Sequence, residues 1–480
     1  MPRHGRQRHR SRLRLLALAP LVFAAWWGAT YGYYALGLAP AKPSVGFDGA
    51  ARPPAKPTRV LFVTFDALRA DHLSAYGYRR RTSPNIDRLA DHGVVFTRAL
   101  ATSSWTFPSL SSVFTSAFPR THGVFGPDGH VKPERVLPVM ELLHAGIKTG
   151  MFAGHEFSSL KLDQGFADKK YLFMIPAREM TDRAIEWVRA NGDGPFFLWL
   201  HYFEPHCPYN PPDDEPIPPP SDRPRLGDRY GDCPRAASVR PEYMPEPCAL
   251  PGVTDPRGYE DRYDRYIRYA DREFGRLVDF LRERPWGKEL LVVVSADHGE
   301  AFGDHEMFEH ASWVYEVLLR VPLIVHLGRD LPGSRRVEEP VSMVDVMPTV
   351  CDLLLGRVPD GLEGRSLRAA LESGEITRRP LLAEIHESLK DAASSAAVRF
   401  GDVKLMHDGD AGGPYYFYDL AKDPCERVRR PVGRKTLVLS PKLAYLRHVL
   451  AASLAVPYPV PPHLDPEYRE KLEKMGYIRR

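Results

Sequence analysis

Four short stretches of this chain combine residue types that could do chemistry. The apolar run Val60–Phe65 reads as a buried strand and ends on Asp66, and a carboxylate at a strand end is a good ligand for a hard cation. The same residue would serve equally well as a helix N-cap. A second run, Leu290–Ser295, leads into Ala296-Asp297-His298-Gly299-Glu300. Adjacent Asp and His offer one oxygen and one nitrogen ligand at a sharp turn, which Gly299 would permit. Asp66, Asp297 and His298 together would make a mixed O/N site suited to Zn, Mn, Mg or Ca. The third stretch is Ser103-Ser104-Trp105-Thr106-Phe107-Pro108-Ser109. A hydroxyl near a divalent cation loses its proton more readily and can attack phosphorus or sulfur. The bland reading is a Ser/Thr loop capping a helix that starts near Pro108, and both can hold at once. The fourth runs from His201 to Pro208 and includes His206, with His310 in a later Phe-Glu-His. Either imidazole could meet a developing anion or protonate a leaving group, although any one of eighteen histidines is more often structural.

Positioning these residues requires strands that end together. Val60–Phe65, Pro195–Leu200, Leu290–Ser295 and Val321–Leu327 are short apolar runs of the kind buried in parallel sheets. A helical stripe falls between them at Tyr263, Tyr266, Ile267, Ala270, Phe274, Leu277, Val278 and Leu281. Alternation of strand and helix predicts an α/β sandwich, whose sites usually lie at the ends of its strands. Pro205–Pro256 is polar and proline-rich and reads as a surface excursion beside the site. Past residue 375, Val398–Met406 and Tyr415–Leu420 look like antiparallel strands joined through Asp408–Gly413.

In order along the chain, these stretches resemble the sulfatase branch of the alkaline phosphatase superfamily. The resemblance rests on VLFVTFDALRADHLSAYGY, SPNIDRLADHGVVFTRAL, SSWTFPSLSSVFTSAFPRTHGV, HYFEPHCPYNPP, SADHGEAFGDHEMFEHASWVYEVLLRVPLIV, VSMVDVMPTVCDLL and YDLAKDPCE. It covers nearly the whole chain after residue 58. The resemblance implies an α/β three-layer sandwich with a mostly parallel central sheet and a small C-terminal antiparallel subdomain. It places Asp66, Thr106, Asp297 and His298 at metal-ligand positions, with Thr106 also at the nucleophile position. His206 and His310 match positions that contact the ester oxyanion or assist the leaving group, and His155 joins them as a substrate-binding residue. The departures are specific. A formylglycine-type sulfatase carries Cys or Ser, then x-Pro-x-Arg, where this chain has Thr106-Phe107-Pro108-Ser109-Leu110. Ala67 replaces a second acid, and His310 stands where many relatives keep lysine. In the lysine-tryptophan-histidine region the chain reads Ala153-Gly154-His155-Glu156. The site is therefore expected to resemble relatives that use an unmodified threonine on phosphorus esters.

Charge and cysteine narrow the setting. The formal charge of +4 comes from the first fourteen residues, with six arginines and no acid, leaving 59 basic against 61 acidic residues elsewhere. The body has no global basic character, which argues against a nucleic-acid partner. Residues 1–14 read as a basic cytoplasmic tail and 15–41, uncharged throughout, as a transmembrane signal-anchor. Residues 42–57 then form a linker, 58–375 a catalytic domain containing the 205–256 excursion, and 376–480 a C-terminal subdomain. Cleavage after Ala39-Pro40-Ala41 is the rival to anchoring. Either way the body is expected on the periplasmic or extracellular side. Cys233 and Cys248 could close a loop there, with Cys207, Cys351 and Cys425 free or buried.

The expected function is a membrane-anchored, metal-dependent (Ca, Mg, Mn or Zn) hydrolase of sulfate or phosphate esters, working through a covalent Thr106 intermediate. Its substrate would be a small-molecule, glycan or lipid ester. The alternatives are a transferase that passes a phosphoryl or headgroup unit to a lipid or glycan, and a degenerate member that binds a glycan without turning it over.

Overall fold

The computed structural model describes residues 23–36 and 58–455, apart from 128, 136, 224–232, 240–243, 245–246, 329–330, 332, 387–393 and 410–412. The described chain begins with a helix, α1, over residues 23–35. The central sheet is built from β1 (Arg59–Phe65), β2 (Val94–Leu100), β3 (Lys148–Ala153), β4 (Asp168–Tyr171), β5 (Phe196–Tyr202) and β6 (Leu290–Ala296). After a small hairpin of β7 (Ala301–Phe302) and β8 (Phe308–Glu309), it is completed by β9 (Arg320–Leu327), β10 (Arg335–Val337) and β11 (Val341–Ser342). The strand order is β10-β2-β9-β6-β1-β5-β3-β4, with β11 on β2. β1 is flanked in parallel by β5 and β6 and every one of its residues is buried, which is why it reads as an unbroken apolar run rather than an alternating one.

Helices cover both faces: α2 (Pro84–Asp91), α6 (Ala177–Asn191) and α7 (Pro256–Arg282) on one, α3 (Thr106–Thr115), α5 (Pro138–His144) and α9 (Val346–Leu355) on the other. Short helices α4 (Pro119–His122) and α8 (Glu316–Leu319) lie between them in the chain, and α10 (Arg368–Ser373) follows α9. Strand alternation decides which residue meets which layer. Phe65 packs on Phe274 of α7, and Tyr202 bonds Thr181 of α6. Three residues earlier, at the opposite parity, Phe62 and Trp199 pack on Phe114 of α3. The α7 stripe expected from its spacing is buried throughout, from Tyr263 to Leu281.

The second sheet is wholly antiparallel: β12 (Leu381–Ile385), β13 (Ser395–Phe400), β14 (Val403–Asp408), β15 (Tyr415–Asp419) and β16 (Arg430–Pro431), followed by α11 (Arg434–Leu439) and α12 (Pro441–Leu454). It is joined to the main body by buried ion pairs, Arg399 and Lys404 with Glu316, and Arg120 with Glu384.

Several expectations need correction. Val398–Met406 is two strands, because Gly401 takes a positive φ of 61° and turns the chain back on itself between β13 and β14. β9 runs antiparallel to both β2 and β6. The cysteines pair as Cys207–Cys248 and Cys233–Cys425, with only Cys351 free. Cys207 lies just after β5 and is brought beside Cys248 by the folding-back of the proline-rich segment. Cys233 instead faces the C-terminal subdomain.

Of the segment read as a membrane span, 15–22 and 37–41 lie outside the described residues, as do the basic tail, the linker and 456–480. Among the described residues no helix is long and apolar enough to cross a membrane. The described part, α1, packs Tyr31 on Tyr445 of α12 and Tyr34 on Phe400 of β13.

Candidate active site

Parity and register assemble the site. Asp66 follows β1, two residues beyond Thr64, and so projects toward the α3 layer. Thr64 is in register with His201 of β5 and with Ser295 of β6, and His201 with Ala153 of β3. Two residues past Ser295 lies Asp297, and two past Ala153 lies His155. Four neighbouring parallel strands thus deliver Asp297, Asp66, His201 and His155 to one face at their C-terminal ends, all buried. α3 begins above them with Thr106 as its first residue, following an extended Trp105.

Thr106 Oγ1 lies 3.4 Å from Asp66 Oδ1 and 3.1 Å from His298 Nε2. Asp297 Oδ1 accepts the backbone N–H of Ala67 at 3.0 Å and of His298 at 2.8 Å. Its Oδ2 is buried with no hydrogen bond and lies 3.4 Å from His298 Nε2. An uncompensated buried carboxylate oxygen is costly, and a cation between Asp66, Asp297 and His298 would satisfy it. His298 is set up for that role: its Nδ1–H donates to the Gly299 carbonyl at 2.8 Å, leaving the Nε2 lone pair on the site. These residues fit a divalent cation by donor type and by mutual distance. Gly299 has an ordinary backbone conformation, and a Cβ there would collide with the Val317 carbonyl oxygen. Close approach of α8, not the turn expected from sequence, requires this glycine.

Burial alone would raise the pKa of Asp66, but His206, His155 and His201 outweigh it and hold the carboxyl well below its usual range. Asp297 moves the other way, because burial and the neighbouring Asp66 both disfavour its charge. Divalent charge between the two would remove that conflict.

The remaining histidines differ in equipment. His206 sits in the excursion's first turn and its Nδ1–H donates to the Cys207 carbonyl at 2.5 Å. Burial, opposed by Asp66, pushes its pKa down to about 3, so near neutral pH the ring is neutral, with a lone pair at Nε2. His310, just beyond β8, has Glu300 Oε1 at 3.2 Å from Nδ1, and Tyr209 donates to Glu300 Oε2 at 3.0 Å. A carboxylate behind one ring nitrogen orients the ring and stabilises its protonated form. His310 stacks 4.3 Å from His298 and 4.9 Å from His206, ring to ring. His155 Nε2 lies 2.5 Å from Asp66 Oδ2.

All seven residues singled out in the sequence converge here. Sequence reasoning did not assign His201, Glu300 and Tyr209. Glu300 lies in the same Asp-His-Gly-Glu run as Asp297, but its role appears only once the β7–β8 hairpin folds His310 back over it.

Comparison with known proteins identifies the family and the fold. Residues 58–356 match the sulfatase family model, and 303–436 match the model for the C-terminal part of N-sulphoglucosamine sulphohydrolase. A sulfatase of Formosa agariphila is 24% identical over 434 residues, covering 77% of this chain and 82% of the relative. Among solved structures, one in complex with its substrate D-glucosamine-2-N,6-O-disulfate superposes with a TM-score of 0.66 at 19% identity, covering 85% of this chain and 98% of the other. The phosphonate monoester hydrolase of Agrobacterium radiobacter gives 0.61 at 21% identity, covering 84% and 95%.

Proposed function

The chain belongs to the sulfatase family and is a sulfatase-like ester hydrolase; from that premise we propose that it cleaves sulfate or phosphate esters through a covalent intermediate on Thr106. The observation that carries the reading is the position of the Thr106 hydroxyl, within 3.4 Å of both Asp66 Oδ1 and His298 Nε2. A divalent cation held by Asp66, Asp297 and His298 would supply the charge that favours ionised Thr106 and polarises the ester. The Thr106 oxygen bonds to sulfur or phosphorus as the bond to the leaving oxygen breaks. His310, protonated at Nε2 and backed by Glu300, gives its proton to that oxygen. In the second step His206 takes a proton from water as the water oxygen displaces Thr106, releasing sulfate or phosphate. Leu110, at the position where the formylglycine motif has arginine, and Thr106 itself both favour an unmodified hydroxyl over an aldehyde.

The substrate belongs to the sulfated or phosphorylated glycans, lipids or small molecules. The sulfated glucosamine and the phosphonate ester named for the two matched structures are the reason to test both element classes. Membrane attachment through 15–41 and a body outside the cytoplasm belong to the same reading. They rest on the uncharged run behind six arginines, and on two cysteine pairs of a kind that persists in oxidising compartments. Protease added to intact spheroplasts should digest the body, and protection of the body refutes the orientation.

The chemical test uses aryl phosphate monoester, diester and sulfate substrates, with each metal supplied separately. Thr106→Ala should abolish turnover with the fold intact, Thr106→Ser should retain part of it, and Thr106→Cys should gain no sulfatase activity. Full activity in Thr106→Ala refutes the mechanism.

A further inference from the structure

On the Thr106 side, Asp66 presents only Oδ1, 3.4 Å from Thr106 Oγ1 and 3.6 Å from His298 Nε2. The other, Oδ2, is turned away from Thr106 toward His155 Nε2 at 2.5 Å and His201 Nε2 at 3.7 Å. The donor atoms of Asp66, His155 and His201 lie close enough together to bind one ion, and all three residues are buried. Building on the one-cation reading above, we propose that this is a second cation site, so that Asp66 bridges two metal ions.

His201 carries the argument. Thr64 Oγ1 accepts the Trp199 Nε1–H at 2.9 Å and lies 2.9 Å from His201 Nδ1 and 3.4 Å from the Leu200 carbonyl. If the Thr64 hydroxyl donates to Nδ1, the proton on Nε2 points toward Asp66 across a gap too long for a hydrogen bond. If Nδ1–H donates to Thr64, the hydroxyl turns to Leu200 and a bare Nε2 lone pair faces a carboxylate oxygen. In both arrangements Nε2 is buried and makes no hydrogen bond. A cation between Nε2 and Oδ2 resolves the second arrangement, with Thr64 fixing the tautomer from behind as hydroxyl and carbonyl partners do for metal-bound imidazoles.

Charge points the same way. Among the described residues, no lysine or arginine touches Asp66, Thr106, Asp297 or His298. One divalent ion only neutralises the two carboxylates, leaving His310 to attract an anionic ester, whereas a second leaves the metal centre itself net positive. Two imidazoles and a carboxylate oxygen select a borderline transition ion such as zinc or cobalt(II) over calcium or magnesium. The Thr106 side, richer in oxygen, accepts harder ions.

The test is zinc stoichiometry of the full-length protein, loaded with zinc alone, freed of excess metal and measured by plasma mass spectrometry. Two equivalents per chain are expected, falling to one in His201→Ala and to one in Asp297→Ala, with circular dichroism confirming each fold. Anomalous diffraction at the zinc edge of the unaltered protein should show two peaks flanking Asp66, and this measurement stands even if a variant fails to fold. One equivalent that survives His201→Ala and is lost in Asp297→Ala overturns the second site and leaves the Thr106 centre standing. One equivalent with the opposite pattern keeps the new site and removes the cation from Thr106. Two equivalents unaffected by His201→Ala overturn the assignment, and no bound zinc overturns both.

Discussion

Replacing Glu300 by Gln isolates leaving-group protonation from every other part of the mechanism. Glu300 is buried, and its two oxygens serve different partners: Oε1 takes His310 Nδ1–H at 3.2 Å, and Oε2 takes the Tyr209 hydroxyl at 3.0 Å. Its backbone carbonyl separately accepts Arg69 Nη1 at 2.9 Å, which the substitution leaves in place. A glutamine can keep the Tyr209 bond through its carbonyl oxygen, but its amide then presents N–H to His310 Nδ1. The imidazole must accept there, and the protonated ring loses a charge-assisted bond of about 1.5–3 kcal/mol. If that loss falls on the protonated form alone, proton donation drops by roughly 10- to 150-fold. The loss should depend on the leaving group. An alkyl or benzyl ester needs the proton, so its kcat/KM should fall by about that factor. A nitrophenyl ester leaves as a stabilised anion and should fall only a few-fold. The assay is the ratio of the two kcat/KM values in wild type and Glu300→Gln at one pH, with unchanged thermal unfolding as control. An equal loss on both esters would refute the assignment of His310 as the acid and of Glu300 as its positioning residue.

A second expectation concerns pH and stability. Glu204 is buried, with Oε1 accepting the Ala177 N–H at 2.7 Å and Oε2 unpaired, and burial raises its pKa to about 7. The folded state therefore holds a proton that the unfolded chain releases above about pH 4.5, so this group costs stability progressively as pH rises from about 4.5 to 7, and the cost is absent below that window. Glu204→Gln keeps an acceptor for Ala177 and removes the titration. Its stability relative to wild type should improve by about 3 kcal/mol across the window, read by urea unfolding at several pH values; a pH-independent difference would show that Glu204 does not titrate there.

The residues legible in the sequence are those whose signal is local. Asp66 and Asp297 were found because each ends an unbroken apolar run, and such runs are what strands buried on both faces must look like. Thr106 was found because a polar loop before Pro108 announces a helix start, which falls two residues earlier than the proline suggests. The rest depended on pairings that separate segments decide. β2, Val94–Leu100, is hidden in the sequence because Thr97 and Arg98 interrupt its apolar run; Arg98 reaches out to Asp402, between β13 and β14, at 2.6 Å. His201 becomes a ligand candidate only when β5 is known to lie in register with β1 and β3, which its own neighbours do not reveal. The contact of His155 with Asp66 depends on β3 ending beside β1 and β5, which its own neighbours do not reveal.

The Cys233–Cys425 bond spans 192 residues, against 41 for Cys207–Cys248. During synthesis at roughly 5–20 residues per second, Cys233 emerges about 10–40 seconds before its partner exists outside the ribosome. Over that interval the thiols nearest to it in sequence are Cys248 and Cys207, the two that must find each other. Under oxidising conditions the nascent chain is therefore exposed to a Cys233–Cys248 bridge, the very pairing that sequence proximity suggests, and native bonding must either wait for the C-terminal subdomain or pass through thiol exchange. The last strands to be made thus decide whether the loop beside the catalytic cleft is closed correctly, and a chain truncated before residue 425 would leave Cys233 with only wrong partners.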